Sequence, residues 1–328
     1  MKRVLINGFE LLGKIGSGSF SRVYVAKSDE ERVAIKTGNS ERDFFMLTHE
    51  AETYKILRGL DGIPNYKWHG YHQGKNYLCI ELLGPNIDNL FHKMGCRFSL
   101  KTILMISLRM ISVLREIHQR NLVHCDIKPK NILIGGKNMK DKIYLVDFGL
   151  SQQYRDEKTG NHRGKQLSCP LVGTPRYCSL NHHRGITISR RDDFESLAYL
   201  LLFLAKGSLP WQISKAKTLS TSLDQIYETK KSIPPIALCE GLPCGFCDFL
   251  ESIRGLRYNE EPNYESYIKL FQTMMKDLKY IDDGDFDWLS LPKTDLRVHK
   301  ESISHYYKKN PEPSNLFWQN RIYSIVKS

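Results

Sequence analysis

The sequence of 328 residues lacks any apolar run long enough to cross a lipid bilayer. Its longest apolar stretch, Leu197 to Ala205, falls well short of the roughly 20 residues that a spanning helix needs. The first residues, Met1 to Gly8, are basic and lack the apolar core of a signal peptide. We therefore expect no transmembrane segment and an intracellular location, in the cytoplasm, the nucleus or both.

Dense runs of lysine and arginine are also missing, although the formal net charge is +12. A basic balance suits nucleic acids, anionic membranes, or acidic and phosphorylated protein substrates, and it does not choose among them. A nucleic-acid-binding module is the weaker interpretation, because the chain contains no specific nucleic-acid motif. Repeats and low-complexity tracts are absent as well, and the composition is that of a globular protein.

The eight cysteines lack the spacing of a zinc site. Cys244 and Cys247 form one CxxC pair, but no second pair or suitably spaced histidines follow it. A thiol oxidoreductase would also need a βαβ context, which this segment lacks. The pair fits better at the start of a helix after Pro243, and we expect no disulfides in an intracellular protein.

Periodicity divides the chain into a strand-rich first part and a helical second part, separated near Gly84-Pro85. This predicts an α+β fold with two lobes: a small β-rich N-lobe over residues 1–83 and a large helical C-lobe over 84–291, followed by a basic extension over 292–328. The predicted strands are Glu10–Leu12, Arg22–Lys27, Val33–Ile35, Tyr77–Leu82, Ile132–Ile134 and Ile143–Val146, and the predicted helices are Phe44–Arg58, Leu100–His118, Asp193–Ala205, Gly245–Ile253 and Tyr264–Leu278.

A glycine-rich turn between two predicted strands begins at Gly16. Glycines allow the backbone to approach a phosphate and direct its N–H groups toward it. Ser21 occupies the position where a third glycine is expected, so the turn alone is weak evidence. Twenty residues after Gly16, Lys36 ends the segment Val33-Ala34-Ile35-Lys36, as expected of a lysine that holds the α- and β-phosphates of ATP. Its carboxylate partner is predicted to be Glu50, with Glu52 as the alternative.

The segment His124-Cys125-Asp126-Ile127-Lys128-Pro129-Lys130-Asn131 and the later Asp147-Phe148-Gly149 complete a phosphoryl-transfer pattern. Asp126 is predicted to orient the substrate hydroxyl and accept its proton, and Lys128 to lie beside the transferred phosphoryl group. Asn131 and Asp147 are predicted to bind Mg²⁺. The four motifs occur in the required order and context, so the chain resembles a protein kinase that uses ATP and Mg²⁺.

Further segments resemble the casein kinase I family over about residues 8 to 290. They are Glu81–Asn86, Phe98–Thr102, Gly173–Asn181, Ser189–Leu197 and Gly207–Trp211. The resemblance implies a monomeric serine/threonine protein kinase that prefers protein substrates with acidic or phosphorylated residues upstream. It also implies that the backbone at Glu81 and Leu83 binds adenine, that Ile80 guards the back pocket, and that Asp193 braces the catalytic loop. The predicted nucleotide-binding residues are Ile15, Gly16, Ser17, Gly18, Ser19, Phe20, Val23, Ala34, Lys36, Glu50, Glu81 and Leu83.

Several positions depart from the family pattern. Cys125 replaces an arginine that usually pairs with an activation-loop phosphate, which indicates that loop phosphorylation is not the activating switch here. Gln152-Gln153 and Ser222 stand where relatives carry lysines, whereas Arg176, the predicted substrate-anion residue, is retained. We therefore expect intact catalysis with a weakened preference for phosphorylated substrates. A catalytically idle pseudokinase scaffold is the alternative, supported only by Ser21 and Cys125.

Overall fold

The computed structural model describes residues 4–17, 21–38, 40–136, 139–212, 219–292, 294 and 296, and the side chains of 17 and 219–221 are outside this description. Three predicted nucleotide-binding residues, Gly18, Ser19 and Phe20, lie outside the described residues. Nearly all of the predicted basic extension also lies outside them. Within the described part of the chain, no helix is both long and apolar enough to cross a membrane.

The N-terminal region is built around one antiparallel six-stranded sheet in the order β1-β2-β3-β4-β6-β5. Val33 and Ile35 of β4 are fully buried and pack with Ile6 and Cys79, which gives this sheet its own apolar cluster. The strands are β1 (Leu5–Ile6), β2 (Phe9–Ser17), β3 (Arg22–Lys27), β4 (Arg32–Gly38), β5 (Tyr66–His72) and β6 (Lys75–Glu81).

Helix α1 (Glu41–Ile56) lies between β4 and β5 in the chain and packs against the sheet. It begins three residues before the predicted start at Phe44. Ser40 caps the helix and forms a capping box with Asp43, so the backbone N–H groups of the first turn are satisfied there. The face that carries Leu47, Ala51 and Tyr54 is buried. This face fixes the position of Glu50, which lies one residue before Ala51.

The C-terminal region is helical, with a large apolar core around α3 and α5. Two small two-stranded sheets, β7 with β10 and β8 with β9, lie where the chain enters and leaves the predicted catalytic loop. The elements are α2 (Ile87–Lys93), α3 (Leu100–Gln119), β7 (Leu122–Val123), β8 (Ile132–Ile134), β9 (Ile143–Leu145), β10 (Gln152–Gln153), α4 (Leu180–His183), α5 (Arg190–Lys206), α6 (Leu219–Ser232), α7 (Pro235–Leu238), α8 (Gly245–Gly255) and α9 (Tyr264–Asp277). The predicted α+β fold, with strands first and helices after, is confirmed.

The central helix α5 starts three residues before the predicted Asp193. Ser189 and Asp192 form its capping box, in which the Asp192 carboxylate accepts the Ser189 backbone N–H at 2.7 Å. Asp193 is therefore not needed as a cap. Its carboxylate is fully buried and faces the segment that follows β7.

Candidate active site

Strand register links Gly16, near the end of β2, to Lys36 through Val23. Gly16 is paired with Val23 across β2 and β3, and Val23 is paired with Lys36 across β3 and β4. On the next pair of strands, Ala34 is opposite Ile80 of β6. These pairings place residues that are distant in sequence at one end of the sheet, next to the region where β6 ends at Glu81. The half-buried Ile15 precedes Gly16 on the same strand.

Lys36 lies between two carboxylates. Its Nζ is 2.7 Å from Glu50 Oε2 on α1 and 2.7 Å from Asp147 Oδ1, which follows β9. The alternative partner, Glu52, instead forms an exposed ion pair with Lys55 at 2.7 Å. Lys36 therefore links the sheet, α1 and the predicted metal-binding segment in one cluster.

The three charges of this cluster perturb one another. Burial alone would raise the pKa of Asp147, but the ammonium groups of Lys36 and Lys128 outweigh it and lower that pKa to about 2. Burial raises the pKa of Glu50 to about 7 in spite of Lys36, because the Glu50 side chain is more enclosed than those of Lys36 and Asp147. The same two carboxylates raise the pKa of Lys36 against the effect of burial. The low pKa thus keeps Asp147 ionised at neutral pH, whereas the pKa of Glu50 lies close to neutral pH.

Asp147 adopts the left-handed conformation, with φ of 70°, and this turns Phe148 inward. The Phe148 ring is fully buried and packs edge-on against Tyr54 of α1 and His124, with centroid distances of 5.1 and 5.0 Å. The Asp147 backbone N–H donates to the Tyr54 hydroxyl at 3.3 Å. Helix α1 and the Asp147 segment are therefore packed together in the arrangement that also forms the Lys36 cluster.

Three polar side chains converge on Asp126. Lys128 Nζ lies 2.5 Å from Asp126 Oδ2, and the Asn131 side-chain amide donates to the Asp126 carbonyl at 2.9 Å. The Thr174 hydroxyl donates to the other carboxylate oxygen of Asp126 at 2.9 Å and accepts from Lys128 at 3.1 Å. Asp126 is 7% exposed, so these contacts orient a nearly buried carboxylate. Thr174 was not predicted as a site residue.

Asp193 holds the backbone that leads into Asp126. Its carboxylate accepts the N–H groups of His124 and Cys125 at 2.7 and 2.9 Å, and the His118 Nε2 lies 3.1 Å away. Burial would raise the pKa of Asp193, but His118 and the backbone donors lower it. The ionised carboxylate therefore satisfies two buried backbone donors, and through them it fixes the start of the catalytic segment.

The segment that carries Thr174 approaches the catalytic segment closely at Gly173. Gly173 has a φ of 80°, and a Cβ there would lie 2.5 Å from the Cys125 carbonyl oxygen. Only glycine fits this position without displacing the backbone. Cys125 itself is buried in an apolar cluster with Met46, Leu171 and Cys178. The position where relatives carry an arginine is therefore packed with apolar groups.

The chain between the two regions passes the predicted adenine site. The backbone N–H of Glu81 donates to the Asn65 carbonyl at 2.9 Å, and Leu83 is 4% exposed. Leu133 of β8 is partly exposed between the fully buried Ile132 and Ile134, and it bridges to Asn86 just after this connection. Its side chain is therefore the partly exposed one of this strand, beside the connection between the two regions.

The predicted substrate-anion residue lies between β10 and α6. The uncharged Gln153 and Ser222 lie in those two elements. Arg176 is half-buried, with its guanidinium over the Tyr177 ring at 6.0 Å. Ser222 is 7% exposed and lies within α6. Gln153 accepts from Arg163 at 3.0 Å. Ser222 is thus nearly buried and uncharged, whereas Arg176 carries the charge at the predicted substrate-anion position.

The donor set of the site fits ATP and a divalent cation. The carboxylate of Asp147 and the side-chain oxygen of Asn131 are hard oxygen ligands of the kind that Mg²⁺ prefers. Asn131 donates its NH₂ group to Asp126, which leaves its amide oxygen for a metal. Among the described residues, no group of three or more His, Cys, Asp or Glu side chains is arranged to hold a metal ion. Cys247 is buried and Cys244 opens α8, so the CxxC pair belongs to a helix start.

A comparison with protein-family models agrees with this arrangement. The model described as the protein kinase domain matches residues 9–274, which include strands β2 to β6 of the sheet, the Lys36 cluster and the segments around Asp126 and Thr174. The match covers well over half of the chain. This chain belongs to the protein kinase family.

Proposed function

We propose that the protein is an active serine/threonine protein kinase of the casein kinase I type. The observation that carries the proposal is the convergence of Lys36, Glu50 and Asp147 in one ion cluster beside a hydrogen-bonded Asp126. Phosphoryl transfer requires alignment and neutralisation of negative charge rather than covalent help from the protein. A chain that had lost this activity would not be expected to retain every one of these contacts.

Each side chain takes a role that follows from its contacts. Asp126, held by Thr174 and Lys128, would orient the substrate hydroxyl and accept its proton. Lys36 would bind the α- and β-phosphates, and Lys128 would approach the transferred group. Asp147 and Asn131 would hold Mg²⁺, which would neutralise charge on the phosphate oxygens. The adenine would lie between Ala34 above and Leu133 below, next to the backbone of Glu81 and Leu83.

Serine/threonine specificity and the casein kinase I type rest on the resemblance of five sequence segments to that family. The preference for acidic substrates rests on the retained Arg176 and the net charge of +12. The weaker preference for phosphorylated substrates rests on Ser222, which offers no cation where relatives carry a lysine. We also retain the expected division into lobes at residue 83 and a basic extension from 292, and the expectation of an intracellular, monomeric enzyme.

The direct test is phosphate incorporation into casein from Mg·ATP by the wild type and by Asp126→Asn. The substitution keeps the size of the side chain but replaces one carboxylate oxygen with an NH₂ group, which removes the base. We expect transfer by the wild type, near-background transfer by the variant, and equal ATP binding by both. Phosphoamino-acid analysis should detect phosphoserine and phosphothreonine. ATP binding without transfer by the wild type would instead support the pseudokinase scaffold.

A further inference from the structure

A lysine is buried beneath the segment that carries Arg176. Lys230 lies on α6, and its relative exposure is 0%. Lysine side chains almost always reach water, because a buried ammonium loses its hydration. The proposed mechanism gives this residue no role. Its burial next to the substrate-side segment therefore requires another explanation.

The Lys230 ammonium group bonds to the backbone of the segment Pro175–Cys178. Its Nζ donates to the Pro175 carbonyl at 2.8 Å and to the Cys178 carbonyl at 2.6 Å. The His183 Nε2 lies 3.3 Å away and can accept the third proton, because burial lowers the pKa of His183 and keeps the imidazole neutral. All three donors thus have an acceptor. The rings of Tyr199 and Trp211 cover the remaining sides at 4.8 and 5.2 Å.

Trp211 holds the same segment at a third point. Its indole Nε1–H donates to the Arg176 carbonyl at 2.8 Å. Together Lys230 and Trp211 bind the carbonyl groups of Pro175, Arg176 and Cys178. The backbone of this segment is therefore fixed from beneath, directly after Thr174, which contacts Asp126 and Lys128.

The neighbouring charges indicate that Lys230 does not serve to neutralise a carboxylate. Glu195, the acidic group near it, is occupied by the Tyr199 hydroxyl at 2.6 Å, the Leu180 N–H at 3.1 Å and Arg254 at 3.8 Å. Burial lowers the pKa of Lys230 to about 7, with Arg254 adding to this effect and Glu195 and Cys178 opposing it. Both the charged and the neutral forms of the side chain retain donors for the two carbonyl groups. The arrangement is specific for holding backbone oxygens.

We propose that Lys230 is a positioning residue for substrate recognition: by fixing the Pro175–Cys178 backbone together with Trp211, it directs Arg176 toward acidic residues of the substrate. The proposal rests on the proposed function, because that function supplies the substrate class, which is acidic peptides. Lys230 touches neither the nucleotide residues nor Asp126, so its effect falls on peptide selection rather than on ATP binding.

Two variants of neighbouring lysines provide a matched test. Lys230→Met keeps the length of the side chain and removes its donors, while Lys231→Met changes the next residue, which is 59% exposed. We expect Lys230→Met to raise KM for an acidic peptide about tenfold, the change that follows from losing roughly one hydrogen bond. KM for a neutral peptide and KM for ATP should change less than about twofold. Lys231→Met should behave as the wild type.

Hydrogen exchange separates this proposal from the proposed function, because it needs no catalysis. The non-proline amides of residues 172–178 should exchange faster in Lys230→Met than in the wild type or Lys231→Met, measured well below the melting temperature of each protein. Unchanged exchange in this segment would overturn the positioning role, whether or not the wild type is active. Equal losses for both peptides and for ATP would also overturn it, since they would show a general structural role. An inactive wild type would contradict the proposed function alone.

A second variant tests the same backbone contacts in case Lys230→Met does not fold. Trp211→Phe keeps an aromatic side chain but removes the pyrrole part of the indole, including the N–H that donates to the Arg176 carbonyl. We expect a smaller rise in KM for the acidic peptide, about threefold, with faster exchange confined to the same segment. No change in either measurement would contradict the proposed fixation of this backbone.

Discussion

The Thr174 hydroxyl lies between the two charged groups of the proposed catalytic centre, donating to Asp126 at 2.9 Å and accepting from Lys128 at 3.1 Å. Thr174 belongs to the segment that also carries Arg176, whereas Asp126 lies 48 residues earlier. This contact joins the substrate-side segment to the catalytic segment. The position of the substrate-side segment therefore affects the orientation of the Asp126 carboxylate.

Thr174→Val should lower kcat by about 10- to 100-fold with little change in KM for ATP. The substitution keeps the shape of the side chain but leaves Asp126 and Lys128 without a hydroxyl that orients them, and misplacement by about 1 Å can cost roughly 100-fold in rate. Thr174→Ser keeps the hydroxyl and should retain most of the activity. Steady-state kinetics of both variants measures the effect. Equal kcat values for Thr174→Val and the wild type would contradict the role.

Activity should have an acid limb that depends on Glu50. Burial raises the pKa of Glu50 to about 7, so the carboxylate that holds Lys36 becomes protonated as the pH falls through that value. KM for ATP should therefore rise several-fold between pH 8 and pH 6. In Glu50→Gln the amide cannot titrate, so KM should be high and should change over the same range only as far as the titration of ATP changes it. The titration of ATP itself affects both enzymes equally, and an identical limb in both would refute the assignment.

Asp193→Ala should destabilise the protein by about 2–6 kcal/mol. The backbone N–H groups of His124 and Cys125 would lose their acceptor inside the core, and each buried donor without a partner costs roughly 1–3 kcal/mol. Urea denaturation followed by fluorescence provides the measurement. Glu52→Ala, which removes an exposed carboxylate, is the control and should change stability by less than about 0.5 kcal/mol. A similar effect for both variants would argue against the bracing role of Asp193.

Candidate site residues at fixed spacing could be predicted from the sequence. Lys36, Asp126 and Asp147 were predicted because phosphoryl transfer needs those residue types in that order, and the structure brings Lys36 and Asp147 into contact. The fold class, which is confirmed, followed from the change in periodicity near residue 84. The start of α1 was placed three residues too late, although Ser40 and Asp43 carry the capping-box signal. That error came from using apolar periodicity alone.

Contacts between distant segments could not be predicted. Thr174 meets Asp126, and Lys230 meets Pro175 across 55 residues, through tertiary packing that no local pattern encodes. A lysine in the middle of a polar stretch also gives no sign that it will be buried. Leu133 was not predicted for another reason: a single leucine in a short apolar strand does not show which side of the strand is exposed.

Removing phosphate from the activation loop, which follows Asp147-Phe148-Gly149, should leave kinase activity unchanged. Cys125 is buried with Met46, Leu171 and Cys178, so apolar packing occupies the place of an arginine–phosphate pair. Burial also raises the pKa of the Cys125 thiol, which keeps it uncharged. Protein treated with a phosphatase, checked by mass spectrometry, should phosphorylate casein at the rate of untreated protein. A loss of more than about fivefold would show that phosphorylation does activate this kinase.

Phosphate upstream of the acceptor residue should improve a peptide substrate only modestly. Arg176 remains to bind an anion, but Ser222 is nearly buried and uncharged where relatives carry a second cation. One charge-assisted hydrogen bond accounts for about tenfold in kcat/KM, and a second cation would multiply that value. A peptide pair with and without an upstream phosphoserine should therefore differ by no more than about tenfold. Arg176→Ala should remove most of this difference while leaving the unphosphorylated neutral peptide unaffected. A preference of 100-fold or more for the phosphorylated peptide would show that another cation binds the phosphate.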